Sequence, residues 1–174
     1  MPEALLSAIW GESVRLSEPG RLVHLQFRRF AGSPGCGLHL REFSARYDEI
    51  GAAGVVEVVV FHSRAEALRA HHGELPFAVV ADPGRWLYQE FAVGRSARAV
   101  LHPKAVRAAL RGFAASRRLH LGWLWSGRGS LPADFLIDAS GHVLACRQGS
   151  HPYDQWSVEE VLALASEYRP ALAI

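Results

Sequence analysis

The sequence predicts an α/β domain, a central mixed β-sheet flanked by helices, and three observations carry that expectation. Val55 to Phe61, VVEVVVF, is β-branched and nearly continuously apolar, as a strand covered on both faces should be. Strand-like and helix-like stretches alternate between Leu22 and Phe91, the pattern of parallel strands joined by helical crossovers. Towards the C-terminus two strand-like stretches are separated only by Ala139-Ser140-Gly141, a tight hairpin that makes that end of the sheet antiparallel.

Glu12 to Leu16 reads as a short strand before the Glu18-Pro19-Gly20 turn. Leu22 to Phe27 is a buried strand, followed by a loop from Arg28 to Gly32. A helix opens at Ser33, with serine as N-cap and Pro34 at the first helical position. Leu40, Phe43, Tyr47 and Ile50 continue it at helical spacing until Gly51 to Gly54. After the Val55 strand, Ser63-Arg64-Ala65-Glu66 has the form of a capping box and starts a short helix. Phe77 to Ala81 is another buried strand, and Asp82-Pro83 begins a helix carrying Trp86, Leu87 and Phe91. Pro103 to Ala115 is helical by propensity, and Leu119 to Gly129, rich in Gly and Trp, reads as a loop. Asp134 to Asp138 and His142 to Arg147 are the hairpin strands. Ser157-Val158-Glu159-Glu160 is a second capping box, opening a helix through Val161, Leu164 and Tyr168.

The 174 residues fit one domain, 1–174, with a short N-terminal extension over residues 1–20. With 49% hydrophobic and 21% charged residues the composition is globular rather than disordered. The net charge is +2, Lys104 is the only lysine, and no basic run exceeds a pair such as Arg117-Arg118. A phosphate-tracking surface needs a concentrated patch, so nucleic-acid binding is not expected. No apolar stretch approaches the roughly 20 residues that span a bilayer. Met1 to Trp10 contains Glu3 and lacks a basic n-region, so neither a membrane anchor nor a signal peptide is expected. Two cysteines, Cys36 and Cys146, do not make a disulfide framework, and a reducing cytoplasm is the natural compartment. No His/Cys/Asp cluster has ligand spacing and no glycine pattern suits a dinucleotide, so no metal and no cofactor are expected.

The chemistry concentrates at Ser33-Pro34-Gly35-Cys36, where the first long strand hands over to a helix. Backbone N–H groups converge at a helix start and the dipole there is positive, so negative charge is favoured. Around this turn the sequence resembles the peroxiredoxin-like proteins of the alkyl hydroperoxide reductase and thiol-specific antioxidant (AhpC/TSA) superfamily. The matching stretches are LVHLQFRRFAG-SPGC-GLHLREF, VVVFHS, LPFAVVADP, LPADFLIDASGHVLA and DQWSVEEVLAL, which together run from Leu22 to Leu164. The resemblance implies a thioredoxin-like fold and a thiol-dependent oxidoreductase or peroxidase. Its partners would be a small-molecule substrate, a peroxide or thiol compound, and an external thiol reductant, with a homodimer left open.

The chain departs from the family at one position. The family turn usually reads Cys-Pro-x-Cys, the first cysteine attacking peroxide; residue 33 is serine here, while Cys36 keeps the second place. A hydroxyl does not cycle through a sulfenic acid. Ser33 is therefore a bare N-cap, a donor to a bound thiolate or oxyanion, or an engineered replacement. Cys36 is either the one reactive thiol or a small packed side chain. Cys146 is expected to pack in the core or at the sheet edge, unbridged to Cys36.

Arg28 and Arg29 flank the turn; one is expected to stabilise an anion or leaving oxygen, the other to be a surface charge. Leu131-Pro132 resembles the cis-proline position of the fold, where a cis bond would expose backbone groups to substrate. Pro34, Gly35, Leu131 and Pro132 are candidate substrate-binding residues, with Trp123 and Trp125 roofing an apolar pocket. His24 and His39 adjoin the site, and His71-His72 belong to an exposed turn. Two functions stay open: a redox enzyme relying on Cys36, or a non-redox binding protein or diverged enzyme using the pocket around Ser33 and Pro132.

Overall fold

The computed structural model describes residues 5–93 and 131–168. In chain order the elements are β1 (Leu5–Ser7), β2 (Ser13–Arg15), β3 (Leu22–Arg28), α1 (Pro34–Ala45), α2 (Tyr47–Ala52), β4 (Val55–Phe61) and α3 (Ala65–His72). They continue with β5 (Ala78–Ala81), α4 (Trp86–Glu90), β6 (Ala133–Ile137), β7 (Val143–Gln148) and α5 (Val158–Tyr168). The helix expected over Pro103 to Ala115 and the loop over Leu119 to Gly129 lie outside the described residues.

The two most apolar stretches, β3 and β4, pair in parallel through seven residues, Leu22 opposite Val55 and Arg28 opposite Phe61. They form the middle of a five-stranded sheet ordered β5-β4-β3-β6-β7. β5 adds in parallel to β4, while β6 and β7 add antiparallel on the other side. The mixed sheet and its antiparallel end are thus as the sequence predicts. A second, two-stranded ribbon, β1 with β2, hooks onto the β5 edge through the Ile9 N–H donating to the Val79 carbonyl at 2.8 Å.

Because side chains alternate along a strand, the sheet has two buried faces. On one face Leu22, Val55, Val59, Phe61, Val79 and Leu136 pack under α1, α2, α3 and α5, which contribute Leu40, Phe43, Ile50, Leu68, Val158 and Val161. On the other, Val23, Leu25, Phe27, Val58, Val60 and Phe135 meet Val14, Leu16, Tyr88 and Phe91. Each large apolar side chain so buried contributes about 1.5–3 kcal/mol.

Four expectations about local structure need correcting. The single helix expected from Ser33 through Ile50 is broken at Arg46, whose guanidinium is paired with Glu49 on α2 and Glu159 on α5. Ser63 caps no helix: α3 starts later, and the Ser63 hydroxyl accepts the Ala31 N–H instead. The α4 helix is shorter than expected and is capped by Asp82, whose carboxylate accepts the Trp86 and Leu87 N–H groups at 2.9 Å. Cys146 is exposed on β7 rather than packed. The second capping box is present: Ser157 Oγ accepts the Glu160 N–H, and the Ser157 N–H donates to the Glu160 carboxylate. Among the described residues no helix is long and apolar enough to cross a membrane.

Candidate active site

The chain leaves β3 at Arg28 and reaches α1 through residues 29–33, and hydrogen bonds fix this turn at several points. The Ser33 N–H donates to the Phe30 carbonyl and the Gly37 N–H to the Ser33 carbonyl, both at 3.0 Å. Ala31 is held from both sides, its N–H by Ser63 Oγ at 3.0 Å and its carbonyl by His72 Nε2 at 2.7 Å. A carbonyl only accepts, so Nε2 of His72 carries the hydrogen. The ring stacks on Phe61, and burial holds its pKa below the usual imidazole value. His72 is therefore a buried clamp on the turn, not the exposed residue expected.

Ser33 takes the N-cap position with an extended backbone (φ −72°, ψ 116°) but makes no side-chain cap hydrogen bond. Cys36, in the first turn of α1, is 3% exposed and belongs to the apolar cluster of Leu40 and Phe43. The amides of this turn lie where helical geometry supplies no carbonyl partner. Gly35 lies under the ring of Tyr153: a Cβ there would run into Tyr153 Cε1, so any larger residue would have to displace the ring. Tyr153 belongs to the loop between β7 and α5, whose Gly149 N–H donates to the Pro132 carbonyl at 2.9 Å. That loop joins both halves of the expected site.

Pro132 is buried at the entry to β6, one residue beyond the Phe27–Ala133 pair and so at the same end of the sheet as the turn. No peptide bond among the described residues is cis, and the Leu131–Pro132 bond is trans. The expected cis-proline is corrected. Pro132 is an ordinary proline ahead of a strand, where no ladder N–H is needed from it. Leu131 is half-buried beside it. Trp123 and Trp125 lie outside the described residues.

The two arginines divide, though not as expected, since neither is a surface charge. Arg28 is fully buried. Its Nη2 donates to Asp134 Oδ1 at 2.6 Å and to Gln26 Oε1 at 2.7 Å, with His39 Nε2 3.1 Å away. Arg29, at 6% exposure, lies 5.6 Å over the Phe30 ring. Its Nε has no hydrogen-bond partner, and no carboxylate among the described residues pairs with it.

Arg28 belongs to a buried polar cluster that sequence reasoning missed. His24 Nδ1 lies 2.8 Å from Glu57 Oε2 and its Nε2 3.2 Å from Asp134 Oδ1. Gln26 donates to Glu57, and the Trp156 N–H donates to Asp134 Oδ2 at 3.2 Å. Burial alone would lower the His24 pKa, but Glu57 and Asp134 more than offset it and push it up to about 9. Burial opposes ionisation of Asp134 too, and Arg28 and His24 overcome it, holding its carboxyl well below the usual range. His39 is held neutral, first by burial and then by Arg28. Two carboxylates thus face two cations. The signal was visible in retrospect: His24, Gln26 and Arg28 fall at alternate positions of one buried strand, and Glu57 interrupts the apolar run opposite.

The AhpC/TSA family profile matches residues 1–145. No curated protein matches the chain. Among solved structures, a cysteine-to-serine mutant of peroxiredoxin Q from Xanthomonas campestris has a TM-score of 0.63 at 16% identity, covering 97% of this chain and 91% of that one. A cysteine-to-serine mutant of peroxiredoxin 6 from Arenicola marina gives 0.63 at 12% identity, over 95% and 70% of the two chains. Mycobacterium tuberculosis AhpC gives 0.61 at 18% identity, over 92% and 76%. At such identities the structures speak for the fold, which is thioredoxin-like with a peroxiredoxin-like sheet. The family match spans most of the sequence, and the chain belongs to the AhpC/TSA family.

Proposed function

We propose that this protein is a one-cysteine, thiol-dependent peroxidase in which Cys36 is the reacting group. The observation that carries the reading is Arg29: a buried guanidinium in the turn that leads into the helix holding the thiol, with no carboxylate partner among the described residues. A buried cation left uncompensated favours a negative group arriving next to it, and the N-terminal amides of α1 act in the same sense. In the reaction the Cys36 thiolate attacks one oxygen of the peroxide. The O–O bond breaks, sulfur takes the hydroxyl as a sulfenic acid, and the other oxygen leaves as an alcohol or water after gaining a proton from solvent. On this reading Arg29 and the Ser33 hydroxyl steady the charge developing on the oxygens. One external thiol then forms a mixed disulfide with Cys36 and releases water; a second restores the Cys36 thiol and leaves as the oxidised disulfide.

The burial of Cys36 favours a second reading, a non-redox protein that binds a small anion at Arg29 and the helix mouth while the thiol only packs. Peroxide consumption with a dithiol reductant, measured for the protein and for Cys36→Ala, decides between them. The first reading requires turnover that disappears in the variant. Equal rates in both would overturn it, and loss of anion binding in Ser33→Val with Cys36 blocked would then support the second.

A further inference from the structure

Tyr153 has no part in the chemistry above, yet three observations place it at the door of the Cys36 site. Its ring lies against Gly35, the residue before Cys36, so closely that a Cβ would meet Cε1 at 2.1 Å and Cδ1 and Cζ at 2.9 Å. The loop carrying it is tied down. Asp154 Oδ2 accepts the Ser150 N–H and hydroxyl, each at 2.8 Å, and a Cβ on Gly149 would lie 2.5 Å from the Asp154 carbonyl and 2.9 Å from Pro132. Burial raises the pKa of its half-buried phenol and keeps it protonated, with the Arg29 guanidinium acting in the opposite sense. Two glycines in different elements therefore let one aromatic ring settle over the mouth of α1.

We infer that Tyr153 is the specificity-determining residue of the Cys36 site: its ring over Gly35 admits small oxidants such as hydrogen peroxide and turns away bulky organic hydroperoxides. Cys36 is 3% exposed and the ring lies over the residue before it, so a small group has the easier approach. Removing the ring uncovers Gly35 and widens the approach. The inference rests on Cys36 being the reacting thiol, so its test includes a readout that needs no peroxidase activity.

In a Cys146→Ser background, which removes the exposed cysteine, Cys36 is labelled under native conditions with iodoacetamide and with pyrene maleimide, and followed by mass spectrometry. The small reagent is expected to react faster, and Tyr153→Ala to raise the bulky-to-small rate ratio about tenfold or more, the scale of a lost steric exclusion. Tyr153→Phe is expected to keep the discrimination. Tyr153→Val is read in place of alanine if the latter fails to fold by circular dichroism. The ratio of rates with cumene hydroperoxide and hydrogen peroxide should move in parallel. An unchanged labelling ratio on truncation would overturn the gate even with peroxidase activity intact. A changed ratio without peroxide turnover in any variant would uphold the gate and end the peroxidase reading.

Discussion

Neutralising Asp134 is the sharpest test of the buried cluster. Asp134→Asn keeps the shape but removes one of two carboxylates facing Arg28 and His24, all three side chains being fully buried. The amide can still accept from Arg28, but the core then holds an uncompensated positive charge. Breaking a buried pair by removing one partner costs about 3–5 kcal/mol, and the retained shape puts this variant near the lower end. For a chain of this size about 3 kcal/mol corresponds to roughly 6–12 °C in Tm. Arg28→Met should cost a similar amount by leaving an excess negative charge. In Arg28→Met/Asp134→Asn, Glu57 and protonated His24 balance again, so the double variant should lose less than the sum of the single ones. The expected coupling lies in the upper part of the 0.5–3 kcal/mol range seen for interacting neighbours. Urea unfolding of the four proteins at pH 6 measures it. Additive losses, or an Asp134→Asn cost below about 1 kcal/mol, the level of an ordinary surface pair, would refute the cluster as a coupled unit.

The same cluster sets a pH dependence. His24 is raised from 6.5 to about 9 on folding. Its contribution, about 3 kcal/mol, is therefore fully present below pH 6.5 and lost as pH rises through about 9. His39 and His72, held neutral by burial, act oppositely, because the unfolded chain takes up protons at these residues as pH falls below about 6.5. Asp134, depressed by Arg28 and His24, adds loss of stability once the unfolded carboxyl range is reached on further acidification. Urea midpoints should thus peak near pH 6.5; a profile flat from there to pH 9 would contradict the charged His24. Gly149→Ala should cost about 1–3 kcal/mol, because its Cβ would strike the Asp154 and Pro132 backbone, which cannot rotate away. Gly35→Ala should cost less and lose its penalty in a Tyr153→Ala background, since there the obstacle is a side chain; equal penalties in both backgrounds would mean the ring is not what Gly35 accommodates.

The elements legible from sequence were those set by local pattern. The nearly continuous apolar run of β4, the Ser-Pro entry to α1 and the capping box at Ser157 each depend on neighbours along the chain, and each appears where it was expected. The failures lie where a distant residue decides. Arg46, where α1 ends, pairs with Glu159, far off in sequence. Ser63 has the form of a cap but is claimed by Ala31. Pro132 is trans in its position before β6. The site was legible only as a place: Ser33 to Cys36 and Pro132 do come to one end of the sheet. The group that covers them, Tyr153, sits in a stretch with no periodicity and shows its role only once Gly35 is found beneath it.

Arg28 and Arg29 make the energetic logic of the site plain. They are adjacent and both buried, yet one is matched by Asp134, Gln26 and a backbone carbonyl while the other lies over the Phe30 ring and has no carboxylate partner among the described residues. A core assembled for stability alone would compensate both, because an unpaired buried cation is costly. The Asp134 carboxylate is fully committed to Arg28, His24 and the Trp156 amide, so it has nothing left for Arg29. The clamps on Ala31, from Ser63 and His72, hold the backbone of the turn two residues beyond Arg29. Binding an anion beside Arg29 then removes a cost that the folded chain carries by itself, and by mass action such a ligand stabilises the native state as well as occupying the site. On the proposed reading Cys36 supplies that anion from within the same turn, and the link between Arg29 and sulfur chemistry stands or falls with the Cys36→Ala comparison.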